Sequence, residues 1–239
     1  MTNASTQPSV SLVIPAYNEE AVIRSVIERS LAVLQRSVPD SELIVLDDAS
    51  TDGTFEILQQ AKTAHPEIRI ERHAQNRGIA ATFEDLYRLA GKDFVFLISG
   101  DGQFPPETLE KCVPLLASYD IVICRRVVKH YTPYRHFISQ AYRWLPRILF
   151  GVDALDPGGI KCMRREIIQT VRVESQSVFV EAERVIRAVK RGYRVTSVDM
   201  EQAPRQGGVA KGARFSTLVA ATRDMLRCWI QLVVLRRPA

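Results

Sequence analysis

Cysteine and tryptophan are scarce in this chain of 239 residues, which has four Cys and two Trp. The thiols at Cys112, Cys124, Cys162 and Cys228 are scattered and form no C-x-x-C pair. Thiolate metal centres and disulfide frameworks both need closely patterned cysteines, so this spacing argues against both classes of site. A reducing, cytoplasmic compartment fits the same pattern.

Long apolar runs are also missing. A membrane-spanning helix needs roughly 20 consecutive apolar residues, but the apolar run 225–235 is interrupted by Arg227 and Gln231. The first residues, 1–10, are polar and lack the basic-then-apolar pattern of an export signal. We therefore expect a cytoplasmic protein that is either free or bound at the inner face of a membrane.

Negative charge is nearly absent from the end of the chain. The segment 205–239 has seven Lys/Arg and one acidic residue, whereas residues 1–204 have 25 basic and 26 acidic residues. The net charge of +5 therefore belongs to the tail. A basic tail favours nucleic acid, an anionic membrane surface or phosphate groups as partners.

Short apolar runs alternate with helical stretches along the first two-thirds of the chain. Strands are predicted at residues 11–16, 42–46, 68–71, 94–98 and 120–124. Helices are predicted between them at 19–36, 52–64, 79–90 and 105–118. Further elements are a strand at 159–163, a helix at 178–190, a strand at 193–200 and a helix at 215–235. The alternation predicts an α/β fold with a mostly parallel central sheet and helices on both faces.

Polar clusters follow four of the predicted strands, namely Tyr17-Asn18-Glu19, Asp47-Asp48, Ser99-Gly100-Asp101 and Arg125-Arg126. Ligands of such sheets bind at the carboxyl ends of the strands. Because four clusters meet at one edge, a binding site is favoured over four unrelated solvated turns. The acidic character of this edge would repel a phosphate backbone, so nucleic acid is not an expected partner.

Two of these clusters have chemistry of their own. In Asp101-Gly102-Gln103, a carboxylate and an amide oxygen suit Mg²⁺ or Mn²⁺ shared with a diphosphate; a simple Gly-rich turn explains the same residues about equally well. In the segment 47–54, Asp47 or Asp48 could accept hydrogen bonds from a base and a ribose. Asp52 is well placed as the cap of the helix that follows.

The basic segment Arg205-Gln206-Gly207-Gly208-Val209-Ala210-Lys211 suits a loop that closes over phosphates. Taken alone, a solvated basic linker explains it better.

Taken in order, these motifs resemble glycosyltransferase family 2. They are V-I-P-A-Y-N-E-E, L-D-D-A-S-T-D-G-T, N-R-G, G-D-G-Q-F-P-P-E and R-x-x-G-x-x-K, and they extend over about residues 11–211. Their spacing is most similar to the dolichol-phosphate mannosyltransferase-like branch, which makes polyprenyl-phosphate sugars. The resemblance implies a Rossmann-like, nucleotide-sugar-binding fold of the glycosyltransferase A type and an inverting transfer.

The resemblance also implies roles for individual residues. The nucleotide sugar would be bound by Pro15, Tyr17, Glu19, Asp47, Asp48, Gly78 and Asp101, with Arg205 and Lys211 on a loop over the diphosphate. Asp101 and Gln103 would bind the metal, Mg²⁺ or Mn²⁺. The acceptor phosphate would be bound by Arg126, Arg135 and Ser139. Asp156 would lie near the sugar, and Asp101, Asp156 and Arg126 are the predicted catalytic residues.

Three positions depart from the family pattern. Ser99 stands where the family often has the first Asp of Asp-x-Asp, which removes one potential metal ligand or sugar contact. Cys124-Arg125-Arg126 replaces Gly-Ser-Arg, and Ala210 stands where Ser is common. The core set of motifs remains.

Three segments follow from these patterns: a disordered N-terminus at 1–10, a catalytic domain at 11–212 and an amphipathic C-terminal helix at 213–239. That helix could dock on the body, on a second subunit as a homodimer, or on a bilayer surface. The aromatic and basic segment 131–150 is the better candidate for lipid contact, because aromatic and Arg side chains suit the membrane interface; an ordinary amphipathic pair of core helices explains it about equally well.

Three functions remain open. The first is transfer of a sugar from a nucleotide-diphosphate donor, GDP-mannose or a UDP-sugar, to a polyprenyl phosphate, an anion that needs little help from a base. The second is transfer to a saccharide or small-molecule hydroxyl, for which Asp156 would be an essential base. The third is a non-catalytic module that binds a nucleotide sugar, with Ser99 as the mark of lost chemistry.

Overall fold

The computed structural model describes residues 7–128, 144–152, 156, 159–203 and 215–237. Its strands are β1 (Val10–Ala16), β2 (Ser41–Asp47), β3 (Arg69–Arg72), β4 (Phe94–Leu97), β5 (Ile121–Val128), β6 (Lys161–Arg164) and β7 (Val195–Glu201). They form one sheet in the order β3-β2-β1-β4-β6-β5-β7.

The α-helices of these residues are α1 (Ile23–Ser37), α2 (Thr54–Ala64), α3 (Ile79–Leu89), α4 (Thr108–Cys112), α5 (144–150), α6 (Arg165–Thr170), α7 (Val180–Lys190) and α8 (Phe215–Trp229). A 3₁₀ turn, Val113–Leu115, follows α4, and a π-helical turn, Ile230–Val234, extends α8.

Strand β6 is the exception in an otherwise parallel sheet. The pairings β1–β2, β1–β4, β2–β3 and β5–β7 are parallel, whereas β6 is antiparallel to both β4 and β5. The predicted mostly parallel α/β sheet is therefore confirmed. Because β6 runs backwards, its first residue, Lys161, pairs with Leu97 at the end of β4 and with Ile123 in β5. The start of β6 thus lies at the carboxyl edge of its neighbours.

Alternate residues of β1 point to opposite faces of the sheet, as a strand requires. Leu12 and Ile14 belong to the core shared with α1, α2 and α4, and Val13 belongs to the core shared with α3. All three are fully buried. Burial of each such side chain stabilises the fold by roughly 1.5–3 kcal/mol, and the sheet is covered by helices on both faces.

One face of α8 packs on the body of the protein. Its buried residues recur at helical spacing, at Ala221, Met225, Cys228 and Leu232, and they share a cluster with Phe179 of the segment before α7 and Phe150 of α5. Docking on the body, one of the predicted alternatives for this helix, is what the structure shows. Within the described residues, no helix is both long and apolar enough to cross a membrane.

Two predicted helices begin or end differently. Helix α1 begins at Ile23 instead of residue 19, because Asn18 has a φ of 57° and the Glu19 carbonyl closes a tight turn by accepting the N–H of Val22 (3.0 Å). The helix predicted at 105–118 is broken at Pro114, which has no N–H to donate and whose ring clashes with the preceding turn.

Ordered structure also begins before the predicted domain boundary at residue 11. Val10 is the first residue of β1, and the Ser9 hydroxyl donates to Asp93 (2.8 Å). At the other boundary, residues 204–214 lie outside the described part of the chain, and α8 begins at Phe215.

Candidate active site

The loop after β4 turns back onto β1 and brings two of the predicted clusters together. The Gly100 N–H donates to the Pro15 carbonyl (3.2 Å), and a Cβ at Gly100 would lie 2.7 Å from that oxygen. Only glycine permits this approach. Asp101, predicted to bind metal, is thereby fixed beside Pro15, predicted to line the nucleotide pocket.

The loops after β1 and β2 are also bonded to each other. The Asn18 side-chain oxygen accepts the Thr51 N–H (2.8 Å), and the Glu19 N–H donates to the Thr54 hydroxyl (2.8 Å). Tyr17 directly follows β1 and is half-buried. The two motifs that carry the predicted nucleotide contacts therefore form one rigid surface.

Asp47 is completely buried and bonded within the protein. Its carboxylate accepts hydrogen bonds from the hydroxyl and the N–H of Ser50 and forms an ion pair with Arg72 (3.0 Å). These contacts hold the loop after β2 and make Asp47 a positioning residue in this structure. Its predicted contact with base or ribose stays a prediction.

Asp48 holds the turn that precedes α3. Its Oδ1 accepts the Arg77 N–H (2.8 Å) and contacts His73 Nδ1 (2.7 Å), and its Oδ2 accepts the Gly78 N–H (2.9 Å). Gly78 has a φ of 81°, where glycine is favoured. The Gly78 N–H is thus already donated to Asp48, so any contribution of Gly78 to nucleotide binding comes through the shape of the turn.

Asp52, predicted to cap helix α2, lies one residue before the N-cap and still binds the first residue of the helix. The helix begins at Thr54 with Gly53 at the N-cap, and the Asp52 carboxylate accepts the N–H (3.0 Å) and hydroxyl (2.6 Å) of Thr54. Burial acts to raise the pKa of Asp52, but the hydrogen bonds from Thr54 outweigh it and lower that pKa. The carboxylate is therefore held ionised at a helix start, where negative charge is favoured.

Asp101 differs from the preceding carboxylates because one of its oxygens is open. Oδ1 accepts the Gln103 N–H (3.0 Å), whereas Oδ2 has no hydrogen-bond or ion-pair partner among the described residues. The Gln103 carbonyl accepts the Ala203 N–H (2.9 Å), which brings the chain just before Arg205 to this loop.

These residues suit a divalent cation that is completed by a substrate. No group of three or more His, Cys, Asp or Glu side chains is placed for a metal within the described ranges. Mg²⁺ commonly binds through one or two carboxylates plus substrate phosphates. One open oxygen on Asp101 fits that mode, and Ser99, whose hydroxyl lies 3.5 Å from the Asp101 nitrogen, adds no carboxylate.

Arg126 and Asp156 form a buried, two-pronged ion pair. Arg126 Nε donates to Oδ2 (2.9 Å) and a terminal nitrogen donates to Oδ1 (2.8 Å), and the Arg126 backbone N–H also reaches Oδ2 (3.2 Å). The side chains are 11% and 4% exposed. Two residues predicted for separate roles, acceptor phosphate and sugar, are thus directly joined.

A cavity of about 570 Å³ lies between α3 and the start of α7, beside Ser99. Its polar wall contains Lys161 and Glu181, whose charged groups are 3.9 Å apart. The Lys161 ammonium donates to the Gly159 carbonyl (2.9 Å), and the Tyr87 hydroxyl donates to Glu181 (2.9 Å). Burial lowers the pKa of Lys161, with Glu181 and Asp156 acting in the opposite direction.

Sequence reasoning missed this cavity and its charged wall. Lys161, in the short predicted strand at 159–163, was a signal of a buried charged site, because lysine is rarely buried without a partner. Glu181 gave no such signal, since an acidic residue in the first turn of a helix is common. Arg135, Ser139, Arg205 and Lys211 lie outside the described residues.

The carboxyl edge therefore gathers most of the predicted residues that the structure describes. One part is formed at the ends of β1 and β2 and in the loop after β4, by Pro15, Tyr17, Glu19, Asp47, Asp48 and Asp101. Arg126 in β5, with Asp156, forms the other, and the antiparallel β6 places Lys161 between them. A surface of this kind can hold a diphosphate at its acidic, metal-competent part and a second substrate at its Arg-lined part.

Known proteins share both this fold and this sequence pattern. The chain is 29% identical over 229 residues to an undecaprenyl-phosphate 4-deoxy-4-formamido-L-arabinose transferase of Pectobacterium atrosepticum, a match that covers 92% of this chain and 67% of that protein. It is 26% identical over 214 residues to an undecaprenyl-phosphate mannosyltransferase of Micrococcus luteus, covering 84% and 86%.

Among solved structures, glucosyl-3-phosphoglycerate synthase of Mycobacterium tuberculosis, in complex with Mn²⁺, UDP and phosphoglyceric acid, superposes with a TM-score of 0.70. Its sequence is 23% identical, and the superposition covers 93% of this chain and 78% of that one. A mannosyltransferase of Pyrobaculum calidifontis with GDP-Man and Mn²⁺ gives a TM-score of 0.65 at 19% identity, covering 93% and 65%. These likenesses confirm the glycosyltransferase A-type fold.

The sequence profile of glycosyl transferase family 2 matches residues 11–171, well over half of the chain. The resemblance that the motifs indicated is thus confirmed, and the chain belongs to glycosyltransferase family 2.

Proposed function

We propose that this protein is an inverting glycosyltransferase that moves a sugar from a nucleotide-diphosphate sugar to a polyprenyl phosphate. The observation that carries the proposal is the Arg126–Asp156 pair. Because the guanidinium binds both oxygens of Asp156, this carboxylate is poorly available to take a proton from an acceptor hydroxyl. An acceptor that is already an anion, such as a lipid phosphate, needs no such base.

The donor is proposed to lie along the β1–β2–β4 end of the edge. The rigid surface around Tyr17 and Glu19 would hold the nucleoside, and the open oxygen of Asp101 would serve the diphosphate. UDP and GDP-Man are bound by the structural neighbours, which supports GDP-mannose or a UDP-sugar as the donor class.

Asp101, together with the side chain of Gln103, would hold Mg²⁺ or Mn²⁺. When bound, such a cation neutralises charge on the leaving diphosphate. The chain's own contribution is positioning: Gly100 fixes Asp101 against β1, and Gln103 ties this loop to the segment that leads into Arg205. Arg205 and Lys211 are proposed to close over the diphosphate from that segment.

The acceptor is proposed to approach from the β5–β6 side. The two curated relatives described above act on undecaprenyl phosphate by name, which supports a polyprenyl phosphate here. Arg126, Arg135 and Ser139 are the proposed phosphate contacts. Catalysis would then rest on orientation and on charge stabilisation by fixed cations.

The test is transfer of radiolabelled sugar into an organic-extractable lipid. Purified protein, undecaprenyl phosphate in detergent and Mg²⁺ are combined in turn with GDP-mannose, UDP-glucose and UDP-N-acetylglucosamine. We expect one donor to label the lipid, and we expect chelation of the metal to abolish the labelling. Donor binding without transfer to lipid phosphate or to any sugar hydroxyl would instead establish the non-catalytic module.

Transfer to a hydroxyl is the second candidate, and one observation favours it. Glu181 Oε1 is buried and accepts no hydrogen bond, and its ion pair with Arg184 Nε is 3.6 Å long, compared with hydrogen bonds of 2.9 and 2.8 Å to the oxygens of Asp156. A carboxylate oxygen that accepts no hydrogen bond beside the cavity is the better candidate for a base. Glu181→Gln separates the candidates, since loss of a general base lowers the rate by about 10²–10⁴-fold, whereas lipid-phosphate transfer should fall by less than about tenfold.

Peripheral membrane contact is proposed through the outer face of α8 and its π-helical turn. Val219, Leu226, Ile230, Val233 and Val234 are exposed there, opposite the docked face. Arginines 223, 227, 236 and 237 are exposed as well, and the sole acidic residue of 215–237, Asp224, is buried and accepts the Ser177 N–H. An apolar stripe flanked by arginines suits an anionic bilayer surface, in keeping with the inner face of a cytoplasmic membrane.

Co-sedimentation with vesicles tests this contact. We expect binding to vesicles containing phosphatidylglycerol, much weaker binding to pure phosphatidylcholine, and loss of binding in Ile230→Glu. Gln59→Glu, which adds the same charge on exposed α2, is the matched control and should bind like the wild type. If Ile230→Glu instead converts a dimer to a monomer in analytical ultracentrifugation without changing vesicle binding, this face is a homodimer interface.

A further inference from the structure

The cavity between α3 and α7 has walls of two chemical kinds. Its apolar lining includes Ile79, Phe83, Phe104, Ile160, Val178 and Val180. Of its polar groups, Ser99, Lys161 and Glu181 lie toward the strand ends, whereas Gln176 and Ser177 precede Val178 in the chain. At about 570 Å³, the cavity is within the range of roughly 300–1,000 Å³ typical of small-molecule sites. A ligand that matches it has a polar head and a bulky apolar body.

The polar end lies at the proposed place of sugar transfer. Ser99 follows β4 and precedes Asp101 by two residues, and Lys161 pairs in the sheet with Leu97 at the end of the same strand. An anionic head near Lys161 would therefore be next to the donor diphosphate. The sugar ring of a donor fits the rest of the cavity less well, because most of its hydroxyls would face apolar side chains, with Gln176 and Ser177 as the polar exceptions.

The apolar end opens to the outside through exposed hydrophobic residues. Ile79 is 58% exposed and Val178 is 59% exposed, and both line the cavity. Exposed apolar side chains at the rim of a cavity are typical of a binding site for an apolar ligand. Ala220 of α8 also lines the cavity, so the helix proposed to lie on the membrane forms part of its wall.

We propose that this cavity binds the isoprenoid units nearest the phosphate of the acceptor lipid. The isoprenoid chain passes from the membrane-facing side of α8 into the cavity, and the phosphate lies at the Ser99 and Lys161 end. This end is on the side of Lys161 where Arg126 is near enough to influence the pKa of Lys161. This assignment rests on the proposed function. It adds that the enzyme selects its acceptor partly by apolar contacts inside the catalytic domain, separately from any binding to the bilayer.

The test compares prenyl phosphates of different length in the absence of membranes. Calorimetric titration gives the affinities of dimethylallyl phosphate, with one isoprene unit, and farnesyl phosphate, with three. Because buried methylene groups add to affinity, wild-type protein should bind farnesyl phosphate at least about tenfold more tightly. Ala220→Phe fills the cavity and should remove that preference, while Thr222→Phe, on the exposed side of the same helix, should keep it.

A second variant keeps the test valid if Ala220→Phe does not fold. Val178→Asp changes an exposed residue at the rim and should weaken farnesyl phosphate binding without altering dimethylallyl phosphate binding or the melting temperature. Equal affinity of the wild type for both lengths, or a preference that survives both Ala220→Phe and Val178→Asp, would overturn the assignment.

Measuring sugar transfer in the same preparations tests the cavity assignment and the proposed transfer reaction separately. Chain-length-dependent binding without transfer to either phosphate supports the cavity assignment and contradicts the proposed acceptor reaction. Transfer to both phosphates with equal affinity contradicts the cavity assignment and leaves the reaction standing.

Discussion

The two carboxylates at the end of β2 are bonded within the protein, whereas the carboxylate after β4 has an oxygen without a partner among the described residues. Asp47 is bound by Ser50 and Arg72, and Asp48 is bound by His73 and the turn at Gly78. Asp101 uses one oxygen on its own loop and leaves the other without a partner among the described residues. Motifs that look alike in sequence thus have different physical tasks.

This difference distinguishes carboxylates that order the loops of the site from a carboxylate that is available to bind a ligand. A buried carboxylate with several donors orders the loops that contribute them, and its removal is expected to lower stability. A carboxylate with an open oxygen adds little to stability and is available to a metal or substrate. Asp156, bound on both oxygens by Arg126, has the bonding of the first kind, and its predicted catalytic role stays a prediction.

The largest expected effect comes from breaking the Arg126–Asp156 pair. Asp156→Asn removes the carboxylate that binds the buried Arg126 guanidinium through two hydrogen bonds, which should lower the free energy of unfolding by about 3–5 kcal/mol in urea denaturation. Asp199→Asn breaks the neighbouring Arg125–Asp199 pair, whose side chains are 38% and 53% exposed. In this control the free energy of unfolding should fall by less than about 1 kcal/mol. Equal decreases in the two variants would contradict a structural role for the buried pair.

A smaller effect is expected at Asp48. Asp48→Asn exchanges one acceptor oxygen for a donor and weakens the bonds to Gly78 and His73, which should lower the free energy of unfolding by about 1.5–3 kcal/mol. Amide hydrogen exchange should quicken at residues 73–78 in particular. An unchanged exchange rate in this turn would show that Asp48 does not hold it.

The smallest effect is expected at an exposed pair remote from the edge. The Arg29 guanidinium lowers the pKa of Glu107 below its ordinary 4.5, against the opposing effect of burial. The pair therefore stabilises the fold above pH 4.5, and this contribution is lost as the pH falls through the lowered pKa.

Arg29→Met should consequently lower the free energy of unfolding by less than about 1 kcal/mol at pH 7. The difference in free energy of unfolding between Arg29→Met and the wild type, measured by urea denaturation, should decrease below pH 4.5. A gap that widens on acidification would mean that Arg29 acts by some route other than its charge.

The parallel part of the fold could be predicted because its signals are local. The strand that ends at Asp47 and the helix that begins at Ile79 have apolar periodicity and nearby turn residues, and both were found within two residues. The direction of β6 could not be predicted in this way, since its four residues have the same apolar pattern in either direction. Its orientation depends on pairing with β4 and β5, which is a non-local contact.

The polar residues at this edge of the sheet could be predicted from the sequence, whereas the hydrogen bonds that each of them makes could not. The clusters at Tyr17, Asp48 and Asp101 were identified because polar residues at strand ends stand out against apolar runs. Which oxygens stay open depends on donors far away in the chain, such as Arg72 for Asp47 and Arg126 for Asp156. The cavity was missed for the same reason, because its wall combines α3, β6 and α7.

The most direct test is calorimetric titration of UDP and GDP into the wild type, Asp101→Asn and Asp48→Asn, each with Mg²⁺ and with a chelator. We predict that Mg²⁺ strengthens binding of one nucleotide to the wild type by at least about tenfold, that Asp101→Asn loses this metal dependence while keeping its melting temperature, and that Asp48→Asn keeps the metal dependence with a lower melting temperature. Equal metal dependence in wild type and Asp101→Asn would contradict the account.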